Sequence, residues 1–209
     1  MNFETIDFGE GRLVTVIDGA VNLSTLSNLY YLCTQLPYRI GNSSCREIQG
    51  IVDKRLKCDL EPNHPIVELL LHEGSPSEQA IKKYVTSDTY CFVRAYANLG
   101  IHSDVNEIHI DHETESKTIL YYPNKSWKTH WGGQTMFLDD DGSCKKLIEI
   151  IPGRIVIFDG RIPHTVMPLN IRSTPSYRFT VALKFELIKE HTKDVKTNKL
   201  LSFCKWNYT

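Results

Sequence analysis

The chain from Thr89 onward alternates short apolar stretches with turn residues, a pattern typical of β-structure. The stretches rich in β-branched and aromatic residues predict strands at about 90–97, 106–111, 117–122, 134–138, 146–151, 154–158, 164–167 and 177–187. Strands that follow one another at this spacing are typical of a double-sheet jelly roll. We therefore expect an α+β fold that is mainly β, with a jelly-roll core.

The residues before Thr89 predict helices and only one clear strand. The predicted elements are a strand at 13–17, a helix that begins after Asn22 or Ser24 and continues to about Gln35, and short helices at 65–73 and 77–85. Residues 40–63 are mixed and polar and predict no regular element. We expect the helices to cover one side of the β-rich core.

The 209 residues contain no internal repeat, low-complexity tract or linker that would divide them. We therefore interpret residues 1–209 as a single domain. Within it, we expect residues 1–88 to form the N-terminal strand and supporting helices, and residues 89–188 to form the jelly-roll core. Residues 189–209 are interpreted as a C-terminal extension.

The charges of the chain are balanced, with 24 Lys and Arg against 25 Asp and Glu. The chain has no long block of like charges, so we do not expect a nucleic-acid partner. The six cysteines have no Cys-x-x-Cys spacing, which favours free thiols over a zinc site. The acidic N-terminus and the lack of an apolar run of membrane-spanning length favour a cytoplasmic protein with no signal peptide and no membrane partner. The oligomeric state is not indicated.

Three residues with metal-binding side chains lie in the β-rich region. His109 and Asp111 are two positions apart in a predicted strand, so their side chains point to the same face. His164 follows 55 residues after His109, and sheet pairing can bring it to the same place. Two imidazoles and one carboxylate form the ligand set of non-heme Fe(II) oxygenases. We therefore predict His109, Asp111 and His164 as metal ligands and catalytic residues.

A basic residue after the predicted ligands suits an acidic cosubstrate. Arg178 lies 14 residues after His164, a distance that allows the chain to turn and return to the same cavity. A guanidinium group binds a carboxylate through two hydrogen bonds. Thr180 falls on the same strand face and offers a further donor. Because such a metal site leaves positions open for a 2-oxo acid and dioxygen, Arg178 and Thr180 are predicted to bind the distal carboxylate of the acid.

Two other polar clusters are weaker candidates for a metal site. His102-Ser103-Asp104 has the same His-x-Asp spacing, but it follows Leu99-Gly100 in a predicted loop, so it is the weaker candidate for the ligand pair. The segment 139–142, Asp-Asp-Asp-Gly, suggests calcium, but the spacing of a calcium-binding EF-hand loop is absent. We interpret this segment as a hairpin turn that contains Asp-Gly.

Five blocks of sequence occur in the order and spacing of a known enzyme family. The blocks are Arg94-Ala95-Tyr96-Ala97-Asn98, His109-Ile110-Asp111, Thr118-Ile119-Leu120-Tyr121-Tyr122-Pro123-Asn124, Trp131-Gly132-Gly133-Gln134-Thr135-Met136-Phe137 and Pro152-Gly153-Arg154-Ile155-Val156-Ile157-Phe158. Taken together, they resemble the 2-oxoglutarate- and Fe(II)-dependent dioxygenases of the prolyl 4-hydroxylase type. The resemblance covers about residues 90–187.

The resemblance implies a double-stranded β-helix core, which is cupin-like, and an enzyme that couples decarboxylation of 2-oxoglutarate to hydroxylation. It matches the three predicted ligands to the iron ligands of the family, and Arg178 to the residue that binds the distal carboxylate of 2-oxoglutarate. Tyr122 matches a position whose hydroxyl contacts the same carboxylate, and Tyr96 is a candidate for lining the cosubstrate or substrate pocket. The implied cofactors are Fe(II), 2-oxoglutarate as cosubstrate and dioxygen, with ascorbate as a further candidate.

The resemblance favours hydroxylation of an aliphatic C–H bond, with a prolyl residue of a peptide or protein as substrate. A free amino acid or another small molecule is the alternative substrate, and a non-catalytic cupin-like binding module is the alternative function. Arginine at 178 argues against the animal collagen-type enzymes of the family, which carry lysine there. A nucleic-acid dealkylase on the same barrel is disfavoured, because Lys184 stands where those enzymes resemble one another in a second arginine.

Overall fold

Two antiparallel sheets form the framework of the protein. The structure, a computed structural model, describes residues 1–40, 56–71, 73–102, 104, 106–170 and 177–188. Its elements are, in chain order, β1 (Asn2–Asp7), β2 (Leu13–Asp18), α1 (Leu23–Thr34), β3 (Arg39–Ile40), β4 (Leu56–Leu60), α2 (Pro65–Leu71), α3 (Pro76–Lys82), β5 (Tyr90–Gly100), β6 (Ser116–Tyr121), β7 (Thr135–Leu138), β8 (Cys144–Ile148), β9 (Ile155–Asp159), β10 (His164–Val166) and β11 (Arg178–Leu187).

The larger sheet has the strand order β1-β2-β9-β6-β11-β5-β4-β3, and the smaller sheet has the order β10-β7-β8. The neighbouring strands in both sheets are antiparallel. Side chains of the two sheets pack together in one apolar cluster, where Val156 and Phe158 of β9 meet Phe137 of β7 and Ile148 of β8. The predicted double-stranded β-helix is confirmed by this arrangement.

The helices cover the outer face of the larger sheet. Ile66 and Leu70 of α2 share an apolar cluster with Ile119 of β6 and with the odd-numbered residues of β11 from Phe179 to Phe185. Helix α1 begins after Asn22, whose side-chain oxygen accepts a hydrogen bond of 2.8 Å from the backbone N–H of Thr25. The helices predicted from the sequence are therefore confirmed as a supporting layer.

Strand β11 separates the two sides of the larger sheet. Its side chains alternate, so Phe179, Val181 and Leu183 pack beneath the helices, whereas Arg178, Thr180 and Lys184 line a cavity on the opposite face. The first eight residues of the strand, 178–185, are buried. Arg178 and Lys184 therefore lie in the interior, between the two sheets.

One predicted strand is wrong. Residues 106–111 do not form a strand, because His109 is the only one of them in a β-bridge, an isolated bridge to His164. The intervening Ile108 is 57% exposed and Ile110 is 39% exposed. The alternation of residue types that predicts a strand therefore corresponds to an extended segment with a single bridge.

Sequence analysis also missed three strands. Strand β1 is an almost wholly exposed edge strand that pairs with β2, so it carries no alternating apolar pattern. Strand β4 lies in the polar region 40–63 and has one buried residue, Leu60, and the two-residue strand β3 lies at the start of that region. Residues 41–55 and the predicted extension 189–209 lie outside the described residues.

The turn at 139–142, the cysteines and the helices also bear on predictions from the sequence. The turn at 139–142 is confirmed, because Gly142 N–H donates to Asp139 O at 2.9 Å between the paired strands β7 and β8. The described cysteines, Cys33, Cys58, Cys91 and Cys144, are free thiols. Among the described helices, none has the length and apolar character needed to cross a membrane.

Replacing Leu70 by alanine tests the helix layer. Leu70 is fully buried in α2, and removing such a side chain leaves a cavity, so we expect the free energy of unfolding to fall by about 2–5 kcal/mol in a urea titration. Leu23→Ala is the control, because Leu23 is 82% exposed in α1 and its replacement should change stability by less than about 0.5 kcal/mol. Equal losses would contradict the position of the core.

Candidate metal and cosubstrate site

The structure brings His109, Asp111 and His164 together. One ligand atom from each residue can be chosen so that all three lie within 4.8 Å of one another. His109 Nε2 is 3.8 Å from Asp111 Oδ1, and His164 Nε2 is 3.7 Å from Asp111 Oδ2. Among the described residues, these three side chains form the group that can hold a metal ion. The triad predicted from the sequence is therefore assembled.

Backbone hydrogen bonds place the three ligands. His109 N–H donates to His164 O at 3.0 Å, and His164 N–H donates to His109 O at 2.9 Å. Asp111 N–H donates to Gly160 O at 2.8 Å. A Cβ atom at Gly160 would collide with Ser116 Oγ and meet Asp111 Cβ at 3.4 Å. Glycine at 160 therefore allows the end of β9 to lie against Ser116 of β6.

Both histidines are oriented to bind a metal through Nε2. His109 Nδ1 lies 3.0 Å from Glu107 O, and His164 Nδ1 lies 2.9 Å from Ile162 O. Because a carbonyl oxygen only accepts, Nδ1 carries the proton in each contact and the lone pair is left on Nε2. Burial lowers the pKa of His164 to about 4, so its imidazole is neutral at pH 7.

The carboxylate of Asp111 is ionised although it is buried. Burial alone would raise the pKa of Asp111, but the positive charge of Lys184 and hydrogen bonds from Lys184 and Thr118 lower it well below its ordinary value. The Thr118 hydroxyl donates to Asp111 Oδ2 at 2.6 Å, and Lys184 Nζ forms an ion pair with the same oxygen. Two imidazoles and one carboxylate fit a divalent transition metal such as Fe(II).

Arg178 lies in the cavity that contains the triad. Its Nε donates to Gly133 O at 2.7 Å, and its terminal nitrogen donates to the hydroxyl of Thr135 at 3.3 Å. Gly133 has a φ of +78°, and a Cβ atom there would lie 2.9 Å from Arg178 Cδ. Glycine at 133 therefore provides the space in which the side chain of Arg178 lies.

The other predicted cosubstrate residues differ in how they reach the cavity. Tyr96 and Thr180 line it, and Asn98 donates to the Thr180 hydroxyl at 3.4 Å. Tyr122 is fully buried behind Thr135, and the two hydroxyl oxygens are 2.7 Å apart. Thr135 lines the cavity, and Tyr122 therefore contacts a lining residue.

The competing pair His102 and Asp104 does not join the metal ligands. Asp104 lines the same cavity, but its Oδ2 accepts a hydrogen bond of 2.9 Å from the backbone of Ile101. The cluster of ligand atoms in the described residues consists of His109, Asp111 and His164. The weaker candidate pair is therefore a loop feature at the cavity.

Sequence analysis did not identify Thr118, Thr135 and Lys184 as site residues. All three are buried and line the cavity. A signal for Lys184 was present, because it lies on the same face of β11 as Arg178 and Thr180. The two threonines carry no comparable signal, since threonine is common in strands that have no functional role.

Comparison with known proteins supports this arrangement. A sequence model of the 2OG-Fe(II) oxygenase superfamily matches residues 90–185, a range that contains the triad and Arg178. Among curated proteins, none matches the chain.

Solved structures share the fold at low sequence identity. A prolyl-4-hydroxylase from Pseudomonas putida has a TM-score of 0.63 and 16% identity, over 84% of this chain and 93% of that chain. A prolyl hydroxylase from Trichoplax adhaerens, in complex with a hypoxia inducible factor peptide fragment, has a TM-score of 0.64 and 18% identity, over 88% and 87%. HygX from Streptomyces hygroscopicus, with nickel and 2-oxoglutarate bound, has a TM-score of 0.59 and 11% identity, over 82% of each chain.

The matched range, the shared double-stranded β-helix and the assembled His-Asp-His triad agree with one another. The standard requirements of such enzymes are Fe(II), 2-oxoglutarate and dioxygen, and the donor set of this cavity fits them. Residues 90–185, which contain the triad and Arg178, therefore match the 2OG-Fe(II) oxygenase superfamily in sequence.

Proposed function

We propose that the protein hydroxylates an aliphatic C–H bond of a prolyl residue in a peptide or protein, with 2-oxoglutarate as cosubstrate. The observation that carries the reaction type is one cavity lined by the His-Asp-His triad and by the buried cation Arg178. Such a cavity accommodates a metal and a dicarboxylic acid together. The complete triad argues against a non-catalytic binding module on the same fold.

In this proposal, His109, Asp111 and His164 hold Fe(II). When bound, the iron supplies the activation of dioxygen that accompanies decarboxylation of 2-oxoglutarate to succinate and carbon dioxide. The two histidines bind through Nε2, because their Nδ1 atoms are engaged with backbone carbonyls. The fixed rings keep the ligand atoms in place before metal arrives, which reduces the cost of ordering them on binding.

Arg178 binds the distal carboxylate of 2-oxoglutarate in this proposal. Its guanidinium is buried and is fixed by Gly133 and Thr135, so it presents a positive charge where water screens little. The hydroxyls of Thr135 and Thr180 line the same cavity and can donate to the carboxylate. Tyr122 supports this group by its hydroxyl contact with Thr135.

Apolar side chains form part of the cavity wall, beside the polar and charged ones. They limit the access of water to the reacting groups and leave the substrate C–H bond in an apolar environment. The residues are Leu99, Ile101, Leu120, Phe158, Val166, Met167 and Leu169.

The prolyl substrate is supported by two structural neighbours. The Pseudomonas putida and Trichoplax adhaerens proteins are prolyl hydroxylases, and the latter is in complex with a peptide fragment. A small-molecule substrate is the second candidate, because the same fold occurs in a non-heme epimerase of nogalamycin biosynthesis, at a TM-score of 0.59 and 12% identity. The two candidates differ in the substrate and share the metal and cosubstrate site.

Anaerobic titration with Fe(II) and 2-oxoglutarate tests the metal and cosubstrate assignments. We expect the weak visible charge-transfer band of the chelated complex in the wild type and no band in His109→Ala. Arg178→Ala should need roughly 30-fold more 2-oxoglutarate, because removing one partner of a buried charge pair costs at least about 2 kcal/mol. His112→Ala is the control for His109→Ala, since His112 is half-buried, lies outside the triad and contacts Thr114. No band in the wild type would contradict the assignment.

Gly133→Ala tests how Arg178 is positioned. The new Cβ would press on Arg178 Cδ and on Leu169, so we expect the KM for 2-oxoglutarate to rise by about tenfold or more while the metal affinity stays unchanged. Gly142→Ala is the matched control, because Gly142 has a similar φ of +82° but open space around it. Equal effects on the KM would contradict the positioning role of Gly133.

A peptide assay tests the substrate. Proline-containing peptides should accelerate succinate formation and gain one oxygen atom in mass spectrometry, whereas matched peptides with alanine in place of proline should do neither. Free L-proline and other free amino acids are assayed in parallel. Hydroxylation of a free amino acid with no activity on any peptide would favour the small-molecule candidate and overturn the prolyl-peptide assignment.

A further inference from the structure

We propose that Lys184 restricts Asp111 to binding the metal through one carboxylate oxygen. Lys184 is a positioning residue in this proposal, because it acts on the metal ligand and not on the substrate. The inference rests on the metal-binding role proposed for Asp111, but it is independent of the identity of the hydroxylated substrate.

The two oxygens of Asp111 have different surroundings. Lys184 Nζ forms an ion pair with Oδ2, and the Thr118 hydroxyl donates to the same atom at 2.6 Å. A carboxylate oxygen has about two lone-pair directions, so Lys184 and Thr118 together occupy those of Oδ2. The other oxygen, Oδ1, lies 3.8 Å from His109 Nε2. Oδ1 is therefore the oxygen directed to a metal.

The position of the carboxylate alone does not select this oxygen. Oδ2 is 3.7 Å from His164 Nε2, nearly the same distance as that between Oδ1 and His109 Nε2. Both oxygens are therefore within reach of an ion bound by the two imidazoles. The hydrogen-bonding partners of Oδ2 therefore determine whether Asp111 binds the metal through one oxygen or through both.

Lys184 is itself held in place. Its Nζ donates to Thr118 Oγ1 at 2.9 Å, so the lysine, the threonine and Oδ2 form a closed set of contacts. The ammonium group also lies 5.8 Å from the ring centre of Tyr96 and 5.9 Å from that of Phe158. A buried ion pair adds little net stability compared with apolar packing. Its location on a metal ligand therefore indicates a role in the site.

One-oxygen binding keeps the metal open for the reaction. Three protein ligands leave about three of the positions of an octahedral metal. A 2-oxo acid that chelates the metal would need two of these positions, which would leave one for dioxygen. A second oxygen from Asp111 would occupy one of these positions, so the contact of Lys184 with Oδ2 preserves the one that remains.

The number of water molecules on bound Mn(II) tests the proposal. Mn(II) replaces Fe(II) without redox chemistry, and its effect on water proton relaxation is proportional to the number of water molecules it binds. We expect Lys184→Met to bind Mn(II) with a relaxation effect per bound ion that is lower by about a third, since one of about three open positions is lost. Lys184→Arg should restore the wild-type value, because arginine can also donate to Oδ2.

Lys117→Met is the matched control. Lys117 is a largely buried lysine that forms an ion pair of 3.2 Å with the buried Asp159, outside the cavity lining. Its replacement should lower thermal stability without changing the relaxation effect. If Lys184 has a purely structural role, Lys184→Met should likewise lower thermal stability and leave the relaxation effect unchanged. That result would overturn the proposal.

Thr118→Val provides a second variant in case Lys184→Met does not fold. It removes the hydroxyl donor to Oδ2 and the acceptor of Lys184, so a smaller loss in the same direction is expected. If Lys184→Met does not fold, Thr118→Val decides the test. A folded Thr118→Val with the same relaxation effect per bound Mn(II) as the wild type would overturn the proposal. Lack of Mn(II) binding by the wild type would overturn the metal site as well, whereas failure of every peptide assay would leave this test unaffected.

Discussion

The functional site depends on two backbone hydrogen bonds between His109 and His164. They join segments that are far apart in the sequence, and they bring the two imidazoles to a ring-centre distance of 4.4 Å. Asp111 then reaches the same place because its own N–H is bonded to Gly160. Since backbone groups make these bonds, the positions of the ligands are set by the sheet framework and not by contacts among the ligands themselves.

The sequence predicted the elements that leave a periodic pattern. The alternation in β11 identified Arg178 and Thr180 on one face, and the start of α1 lies at Asn22, one of the two capping residues that the sequence predicted. The alternation around His109 was misleading, because its isoleucines are largely exposed and have no facing strand. Lys184 was recognised only as a difference from a dealkylase, since its contact with Asp111 depends on tertiary pairing that no local spacing reveals.

The cavity combines a metal-binding carboxylate with two buried cations. Arg178 and Lys184 carry positive charge, whereas Asp111 is the acidic member of the proposed ligand set. A divalent metal adds two positive charges, and a dianionic 2-oxo acid offsets those two charges. Charge balance therefore favours ordered loading, in which the cosubstrate binds with greater affinity once the metal is present.

The alternating faces of strand β11 limit the sequence changes that the protein can accept during evolution. The strand pairs with β5 on one side and with β6 on the other, and its two faces carry opposite chemistry. A shift of one residue would turn Phe179 into the cavity and press Arg178 against the helices. Single substitutions alter one face at a time, whereas an insertion or deletion between Arg178 and Lys184 exchanges both. The length of this segment is therefore under stronger constraint than the identity of most of its residues.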